Sequence, residues 1–268
     1  MGKDTKISWC DHSWNPFWGC TKVSEGCRFC YAEGLATRYN TEWGPQGVRR
    51  MMSDSTWREP MWWHRSALKE GKRRRVFCAS MADVFEKNPQ VTAARERLWG
   101  LIQESTALDW LLLTKRPENI IEMIPQAWLD NPPANVWYGT SVENQEMADK
   151  RIPELVKVPA IVRFLSAEPL LGSIDLSNHF APGLIHWVIT GGESGNKARP
   201  ASIDWFREIR LDAERHNVAF FHKQNGGKDK AKGGDRLGNT VIHQMPQHFG
   251  YGLPETQTTL TVEAPLLL

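Results

Sequence analysis

Net charge of either sign is scarce in this chain of 268 residues. Its 33 basic residues nearly cancel its 31 acidic residues, which leaves a formal net charge of +2. A protein with so small a net charge has no general attraction for nucleic acid, so a nucleic-acid site would need a local basic patch. The run Lys72-Arg73-Arg74-Arg75 is one such patch, and a solvated loop before a strand is its plainer interpretation.

Segments that direct a chain to or across a membrane are also missing from the sequence. No apolar run approaches the roughly 20 residues that are needed to span a bilayer. The first six residues, Met1 to Lys6, lack the apolar stretch of a signal peptide. We therefore expect a cytoplasmic protein that has no membrane partner.

Several common catalytic motifs are absent as well. The sequence contains no P-loop, no GxSxG, no HExxH and no GxGxxG after a predicted strand. These absences disfavour P-loop kinases, α/β-hydrolases, zinc proteases of the HExxH type and dinucleotide-dependent enzymes.

The five cysteines are present in an odd number, which does not suit a disulfide framework. In the cytosol, clustered thiols serve metal binding more often than disulfide formation. Cys20, Cys27 and Cys30 lie within eleven residues in the spacing C-x6-C-x2-C, and Cys10 precedes them by ten residues. This grouping predicts a metal site. Cys78 falls inside an apolar run and is predicted to be a small core residue.

Two kinds of metal site fit the cysteine loop. An iron–sulfur cluster with three cysteine ligands keeps one iron free of protein ligands and open to a small molecule. A structural zinc ion takes four ligands, and Cys10 or His12 would then supply the fourth. The cysteines alone leave both alternatives open.

Short apolar runs alternate with helical stretches along most of the chain. Six runs predict strands, and a weaker first strand that contains Pro16 precedes them; the ranges are 13–18, 76–80, 109–114, 135–141, 161–166, 185–190 and 218–222. Helices are predicted at 91–105, after Pro117, at 143–156 and at 203–216. Strands that alternate with helices indicate βα units and a parallel sheet. The predicted fold class is α/β, a partial or closed (β/α) TIM-type barrel of about 6–7 parallel strands; an open doubly wound sheet is the alternative.

The composition changes near the end of the chain. From Lys228 onward the sequence is rich in Gly and Lys, and then in Thr, Glu and Pro. This composition is typical of a mobile loop that is followed by a weakly structured extension. We therefore predict a barrel domain over residues 1–227 and an extension over residues 228–268.

Polar residues follow the predicted strands, where ligands bind in parallel βα folds. Since the cysteine loop follows the predicted first strand, we expect a ligand site at this edge of the sheet. Gly191-Gly192 also suits a tight turn, and Lys115 and Arg116 also suit salt bridges to Glu143 or Glu168. The candidate cofactor-binding residues at these strand ends are Lys115, Arg116, Ser141, Glu143, Glu168, Gly191, Gly192 and Glu193.

The cysteine loop and the predicted barrel together resemble the radical S-adenosyl-L-methionine (SAM) enzymes. In that superfamily three cysteines in the first loop of a partial barrel hold a [4Fe-4S] cluster, whose open iron binds SAM. The resemblance implies that Cys20, Cys27 and Cys30 hold the cluster, and that Phe29 lies near the adenine of SAM. The usual loop is C-x3-C-x2-C, so the six residues between Cys20 and Cys27 depart from that pattern.

Longer segments resemble a phage- and prophage-borne family of three-cysteine-motif proteins whose function is not established. This resemblance implies kinship with radical SAM enzymes and a place in the host cytoplasm if the protein is phage-encoded. A role in nucleic-acid modification or repair follows only by analogy. The segments that carry the resemblance are 14–32, 113–118, 136–144, 163–170, 187–195 and 223–224.

These observations lead to two main hypotheses. The first is a radical SAM-type enzyme that uses SAM and an electron donor and acts on nucleic acid or a nucleoside. The second is a non-enzymatic, cysteine-coordinated zinc protein that binds nucleic acid through the arginine run and through tryptophans. Replacing Cys10 by alanine separates the two, because it should release zinc and leave a three-cysteine cluster intact. A barrel that keeps the fold without catalysis is a third possibility.

Overall fold

The structure, a computed structural model, describes residues 4–228 and 231–246. The strands in these ranges are β1 (His12–Ser13), β2 (Phe17–Trp18), β3 (Arg50–Met51), β4 (Arg74–Cys78), β5 (Leu108–Thr114), β6 (Val136–Ser141), β7 (Val162–Ala167), β8 (Trp187–Gly191), β9 (Ala219–Gln224), β10 (Arg236–Leu237) and β11 (Thr240–Val241). The α-helices are α1 (Tyr31–Arg38), α2 (Asp54–Glu70), α3 (Thr92–Glu104), α4 (Ile120–Met123), α5 (Gln126–Asp130), α6 (Gln145–Val156) and α7 (Ile203–Arg215).

Seven strands pair side by side in the order β1-β4-β5-β6-β7-β8-β9, and every neighbouring pair is parallel. The sheet curls into a half-barrel. A doubly wound sheet would reverse its strand order at a switch point, whereas this order only advances. The predicted α/β fold is therefore confirmed, in its partial-barrel form and with seven parallel strands.

The apolar sequences of the strands are explained by burial on both faces of the sheet. In β5, Trp110 and Leu112 pack against the helices, while Leu111 points to the opposite face. That second face carries a cluster without helical residues, which includes Trp9, Phe77, Leu111, Trp137, Phe164, Trp187 and Phe221. Such continuous apolar runs are typical of parallel strands that are covered on both sides.

The predicted first strand at 13–18 is divided in two. β1 ends at Ser13 and joins the parallel sheet, whereas β2 pairs antiparallel with β3. Pro16 lies between the two short strands, and proline lacks the N–H that a ladder requires.

Helix α2 has no counterpart among the predicted helices, although its ends carry clear signals. The Ser53 hydroxyl accepts a hydrogen bond from the Thr56 N–H at the start, and Gly71 ends the helix with φ of 63°. Pro60 lies inside the helix and hides its pattern in the sequence. The helix that was expected after Pro117 is a short 3-10 turn followed by the single turn of α4.

The carboxyl-terminal part that the structure describes lies against β9. β10 and β11 form an antiparallel pair, and the His222 N–H donates to Ile242 O at 2.8 Å. The rest of the extension predicted over 228–268 lies outside the described residues, so its boundary stays a prediction. Among the helices described, none is both long enough and apolar enough to cross a bilayer.

Candidate functional site

A cavity of about 230 Å³ opens at the carboxyl ends of the parallel strands. The cysteine loop, residues 20–30, forms another part of its wall. Parallel strands end on the same side of a sheet, which is why residues that are distant in sequence meet here. The wall contains a polar residue or glycine from the end of each of six strands, β4 to β9: Ser80, Thr114, Ser141, Ser166, Gly192 and Gln224.

All three cysteines of the loop line this cavity, and all three are half-buried free thiols. The loop between Cys20 and Cys30 turns twice: it contains a 3-10 turn at Glu25–Cys27, and helix α1 begins directly after Cys30. Despite the six residues between Cys20 and Cys27, all three cysteines lie in the wall of one cavity.

The arrangement of the cysteines bears on the kind of metal they suit. Within residues 4–228 and 231–246, no group of three or more His, Cys, Asp or Glu side chains is placed to hold a metal ion. A zinc ion needs four ligands at about 2.0–2.3 Å from one point. In an iron–sulfur cluster the cysteines bind different irons, so their sulfurs need not converge on one point. The three free cysteines supply the thiol ligands that such a cluster takes.

The two alternative zinc ligands do not line the cavity, although Cys10 packs behind its wall. Cys10 packs in the cluster that contains Trp9 and Phe77, and burial raises the pKa of its thiol to about 12. The His12 ring stacks on that of Trp63 in α2, with 4.4 Å between the ring centroids. Neither Cys10 nor His12 is among the described residues that line the cavity.

Arg116 is bound into the protein beside the first cysteine. Its Nη1 donates to Asp83 Oδ2 at 2.8 Å and lies 3.7 Å from Cys20 Sγ, and its Nη2 donates to Thr21 O at 2.7 Å. Burial opposes the charge, but Asp83 and Cys20 raise the pKa of Arg116 above its ordinary value. The sequence suggested a salt bridge to Glu143 or Glu168 for this position; the partner is Asp83.

The same arrangement affects the Cys20 thiol. Burial, reinforced by the Asp83 carboxylate, raises the pKa of Cys20 to about 12, and Arg116 acts in the opposite direction. Binding of a metal requires the thiolate, so metal binding at Cys20 is coupled to release of its proton.

A second arginine, Arg49, extends this charged arrangement and was not singled out in the sequence. Its side chain forms a two-point ion pair with Glu86, at 2.9 and 2.7 Å, and both side chains are buried. Arg49 Nη2 also donates to Thr21 Oγ1 at 3.0 Å. Its partner Glu86 follows Asp83 by three residues in the loop after β4. This spacing of two acidic residues after a strand is the signal in the sequence for a charged cluster here.

Lys115, which is adjacent to Arg116, differs from it in having a free ammonium group. It lines the cavity, and its ammonium makes no ion pair within 4.0 Å in the part of the chain that the structure describes. A cation of this kind is available to an anionic group of a ligand.

Glu143 lies behind the cysteine loop and not in the cavity wall. It is fully buried and pairs with Arg151 Nη1 at 2.7 Å. Burial opposes its negative charge, but Lys115 and Arg151 hold the pKa of Glu143 below its ordinary value. A Cβ atom on Gly26 would lie 2.9 Å from Glu143 Cδ, so the loop and this carboxylate are in direct contact.

Glu168 lies in the cavity wall, as the sequence suggested. Its carboxylate accepts hydrogen bonds from Lys223 Nζ at 2.6 Å and from Ser166 Oγ at 3.3 Å. Gly191 is not in the wall but lies beside Glu168, since a Cβ on Gly191 would be 2.9 Å from Glu168 Oε2. Gly191 therefore makes room for the carboxylate.

The turn after β8 joins the cysteine loop across the cavity mouth. Glu193 forms a two-point ion pair with Arg199, at 2.6 and 2.9 Å, and Arg199 also donates to Glu25 O at 3.1 Å. Gly192 lines the cavity and packs closely on the next loop, since a Cβ would lie 2.1 Å from Asn225 O.

Phe29 lies at this junction among three cations. Arg28 Cζ and Arg199 Cζ are 5.2 and 5.1 Å from the ring centroid, and Lys197 Nζ is 6.0 Å away. Such contacts are favourable cation–π interactions. Arg28 and Lys197 are exposed, and the Glu25 carboxylate lies 3.8 Å from Arg28 and 3.3 Å from Arg199.

Residues 4–249 match DUF5131, a family described as protein of unknown function. The chain belongs to this family. No curated protein matches it. Among solved structures, a mutant of spore photoproduct lyase is similar to this DUF5131 chain, with 12% sequence identity and a TM-score of 0.48. The alignment covers 81% of this chain, which spans about 64% of the length of that one.

The arginine run of the DUF5131 chain does not contribute to the cavity. Arg73 pairs with Asp109 at 2.6 Å, and Arg75 pairs with Asp11 at 3.3 Å. Arg74 pairs with Glu70. The run lies at the start of β4, which is the opposite end of the strand from the cavity. The run is therefore neither a free basic patch nor wholly a solvated loop, because Arg74 and Arg75 belong to β4 and the three arginines are paired with acidic residues.

Proposed function

We propose that this DUF5131 protein is a radical SAM-type enzyme, with Cys20, Cys27 and Cys30 as the ligands of a [4Fe-4S] cluster. The observation that carries the proposal is the placement of three free cysteines in the wall of one cavity, opposite the ends of six parallel strands. When it is bound and reduced, such a cluster supplies the electron that cleaves SAM to methionine and a 5′-deoxyadenosyl radical. The electron donor would be a further partner.

The cavity wall offers complementary groups for SAM. The free ammonium of Lys115 suits the SAM carboxylate, and the Glu168 carboxylate suits its amino group. The Ser141 hydroxyl is available to ribose hydroxyls, and the Phe29 ring to the adenine. The backbone N–H and carbonyl of Gly192 are hydrogen-bonded to Gln224, so Gly192 would contribute its small size and not a hydrogen bond. Glu143, Gly191 and Glu193 would act indirectly, since each holds a neighbouring loop or side chain.

The charge at the cavity mouth favours an anionic substrate. Arg28 and Lys197 are exposed beside Phe29. Arg28 and Arg199 share the Glu25 carboxylate, whereas Lys197 makes no ion pair within 4.0 Å among the described residues. Phosphate groups bind such cations, and nucleosides stack on aromatic rings. A nucleic-acid strand or a phosphorylated nucleoside is therefore the substrate class that we propose.

The alternative of a zinc-coordinated, non-enzymatic nucleic-acid-binding protein has less support. Its fourth ligand would be Cys10 or His12; neither is among the described residues that line the cavity, although Cys10 packs with the wall residues Trp9 and Phe77. The arginine run that would bind nucleic acid is paired with acidic residues.

The ligand set is tested by anaerobic reconstitution with iron and sulfide, followed by metal analysis. We expect about four irons per chain, and loss of most of this iron in Cys20→Ser, Cys27→Ser and Cys30→Ser. Cys10→Ala should retain the iron, because Cys10 is not one of the proposed ligands. Protein that carries stoichiometric zinc, takes up no iron and loses the zinc in Cys10→Ala would contradict the proposal.

A further inference from the structure

Arg116 directly contacts one of the three proposed cluster ligands. Its Nη1 lies 3.7 Å from Cys20 Sγ, within hydrogen-bond distance for sulfur, and its Nη2 binds the carbonyl of the next residue, Thr21, at 2.7 Å. The guanidinium therefore holds both the side chain and the backbone at this end of the cysteine loop.

Asp83 fixes the position of Arg116 from the other side. Its two carboxylate oxygens accept four hydrogen bonds, from Arg116 Nη1, Thr114 Oγ1 and the backbone N–H groups of Phe85 and Lys115. Four hydrogen bonds hold the Asp83 carboxylate in one orientation, and the carboxylate in turn orients the Arg116 guanidinium. Because both Nη atoms of Arg116 already bind groups of the protein, a ligand carboxylate in the cavity would meet Lys115 and not Arg116.

A fixed positive charge beside a cysteine sulfur has a defined effect on an iron–sulfur cluster. Reduction adds a negative charge to the cluster, and hydrogen bonds to its sulfurs together with nearby cations favour that reduced state. Arginine keeps its charge at every accessible pH and presents a rigid planar fork, which lysine does not.

We propose that Arg116 is a positioning residue of the cluster site, which fixes Cys20 and raises the reduction potential of the cluster. This inference rests on the proposed function and assigns Arg116 to the cysteine loop instead of to SAM. The potential is the property through which such a residue would govern electron uptake.

Arg49 provides a matched control. It is buried, it pairs with Glu86, and it binds the same residue of the loop through Thr21 Oγ1 at 3.0 Å. Among its described contacts, however, none is to a cysteine sulfur. A change at Arg49 therefore tests support of the loop without the contact to Cys20.

The test measures iron content and midpoint potential, the latter by a reductive titration followed by electron paramagnetic resonance. We expect Arg116→Lys and Arg116→Gln to bind iron and to titrate at more negative potentials than the wild type, with the larger shift in Arg116→Gln. The midpoint potential of Arg49→Lys should equal that of the wild type. Since Arg116→Gln leaves Asp83 buried without its cation, the double variant Asp83→Asn/Arg116→Gln removes both charges together, and its potential should lie nearer to that of the wild type than the potential of Arg116→Gln does.

The possible failures are distinguishable. If the wild type assembles no cluster, the proposed function fails and this inference fails with it. If the wild type assembles a cluster but the Arg116 variants keep its potential, only the inference is overturned. An equal shift in Arg49→Lys would also overturn it, because support of the loop would then account for the effect.

Discussion

Gly26 brings the cysteine loop against the buried carboxylate of Glu143. A Cβ atom at this position would lie 2.9 Å from Glu143 Cδ and 3.0 Å from Glu143 Oε1. Glu143 has little freedom to retreat, because it is fully buried and paired with Arg151 at 2.7 Å. The position of Cys27, the next residue, therefore depends on the absence of a side chain at Gly26.

This crowding predicts that Gly26→Ala displaces the cysteine loop. We expect the variant to fold but to bind much less iron than the wild type after anaerobic reconstitution, as measured by iron analysis. Gly34→Ala is the matched control, since a Cβ on this glycine of α1 meets nothing within 4 Å. Full iron content in Gly26→Ala would contradict this prediction.

At the scale of the elements, close packing between strands limits which residues can face the half-barrel interior. Gly139 in β6 lies opposite Phe164 in β7, and a Cβ there would lie 2.3 Å from the phenyl ring. The ring also packs on Trp187 of β8, with 5.8 Å between the centroids, so it has no space to move into. Three neighbouring strands thus share one aromatic contact that depends on a glycine.

Gly139→Ala should therefore destabilise the fold by overpacking. Inserting a methyl group into a packed core typically costs about 1–3 kcal/mol, and we expect a lower Tm in thermal unfolding followed by circular dichroism. Gly100→Ala in α3 is the control, because a Cβ there meets nothing within 4 Å and alanine favours a helix. A Tm for Gly139→Ala equal to that of Gly100→Ala would contradict the packing argument.

The elements differ in how far the sequence could predict them. The central strands were predictable because burial on both faces demands unbroken apolar runs such as the one around Trp110. Helix α2 was not predictable, since Pro60 interrupts its helical pattern. The burial of one face of the helix, which offsets the cost of this proline, is visible only in the fold. The first strand was expected as a single element; Pro16 indicates a break in it, but only the tertiary fold shows that the two halves join different sheets.

The site shows the same limit. The polar strand ends and the cysteines could be placed on one edge of the sheet because parallel strands share a direction. The partners of Arg116 and Glu193 could not be identified, because Asp83 and Arg199 reach them only through the tertiary fold. Arg49, whose nearest charged partner is 37 residues away in sequence, gave no signal at all.

At the scale of the whole molecule, three histidines couple stability to pH. Burial lowers the pKa of His64, His186 and His222 below 6.5. In His64 and His186, Nδ1 accepts a hydrogen bond from a backbone N–H, at 3.2 and 3.1 Å, so protonation would break that bond. These histidines are neutral in both the folded and the unfolded chain above pH 6.5. As the pH falls below 6.5, the unfolded chain binds protons first and gains stability relative to the fold.

We therefore expect the free energy of unfolding to be greatest above pH 6.5 and to decrease between pH 6.5 and 5. Urea denaturation at pH 7.5 and at pH 5.5 measures this difference. His186→Gln should reduce the loss, because glutamine keeps an acceptor and does not titrate in this range. The same free energy of unfolding at both pH values would contradict the prediction.

The radical SAM assignment is tested most directly by reducing the anaerobically reconstituted protein in the presence of SAM and measuring the products by mass spectrometry. We predict 5′-deoxyadenosine and methionine from the wild type and neither product from Cys27→Ser. An iron-loaded, reduced protein that leaves SAM intact would contradict the assignment.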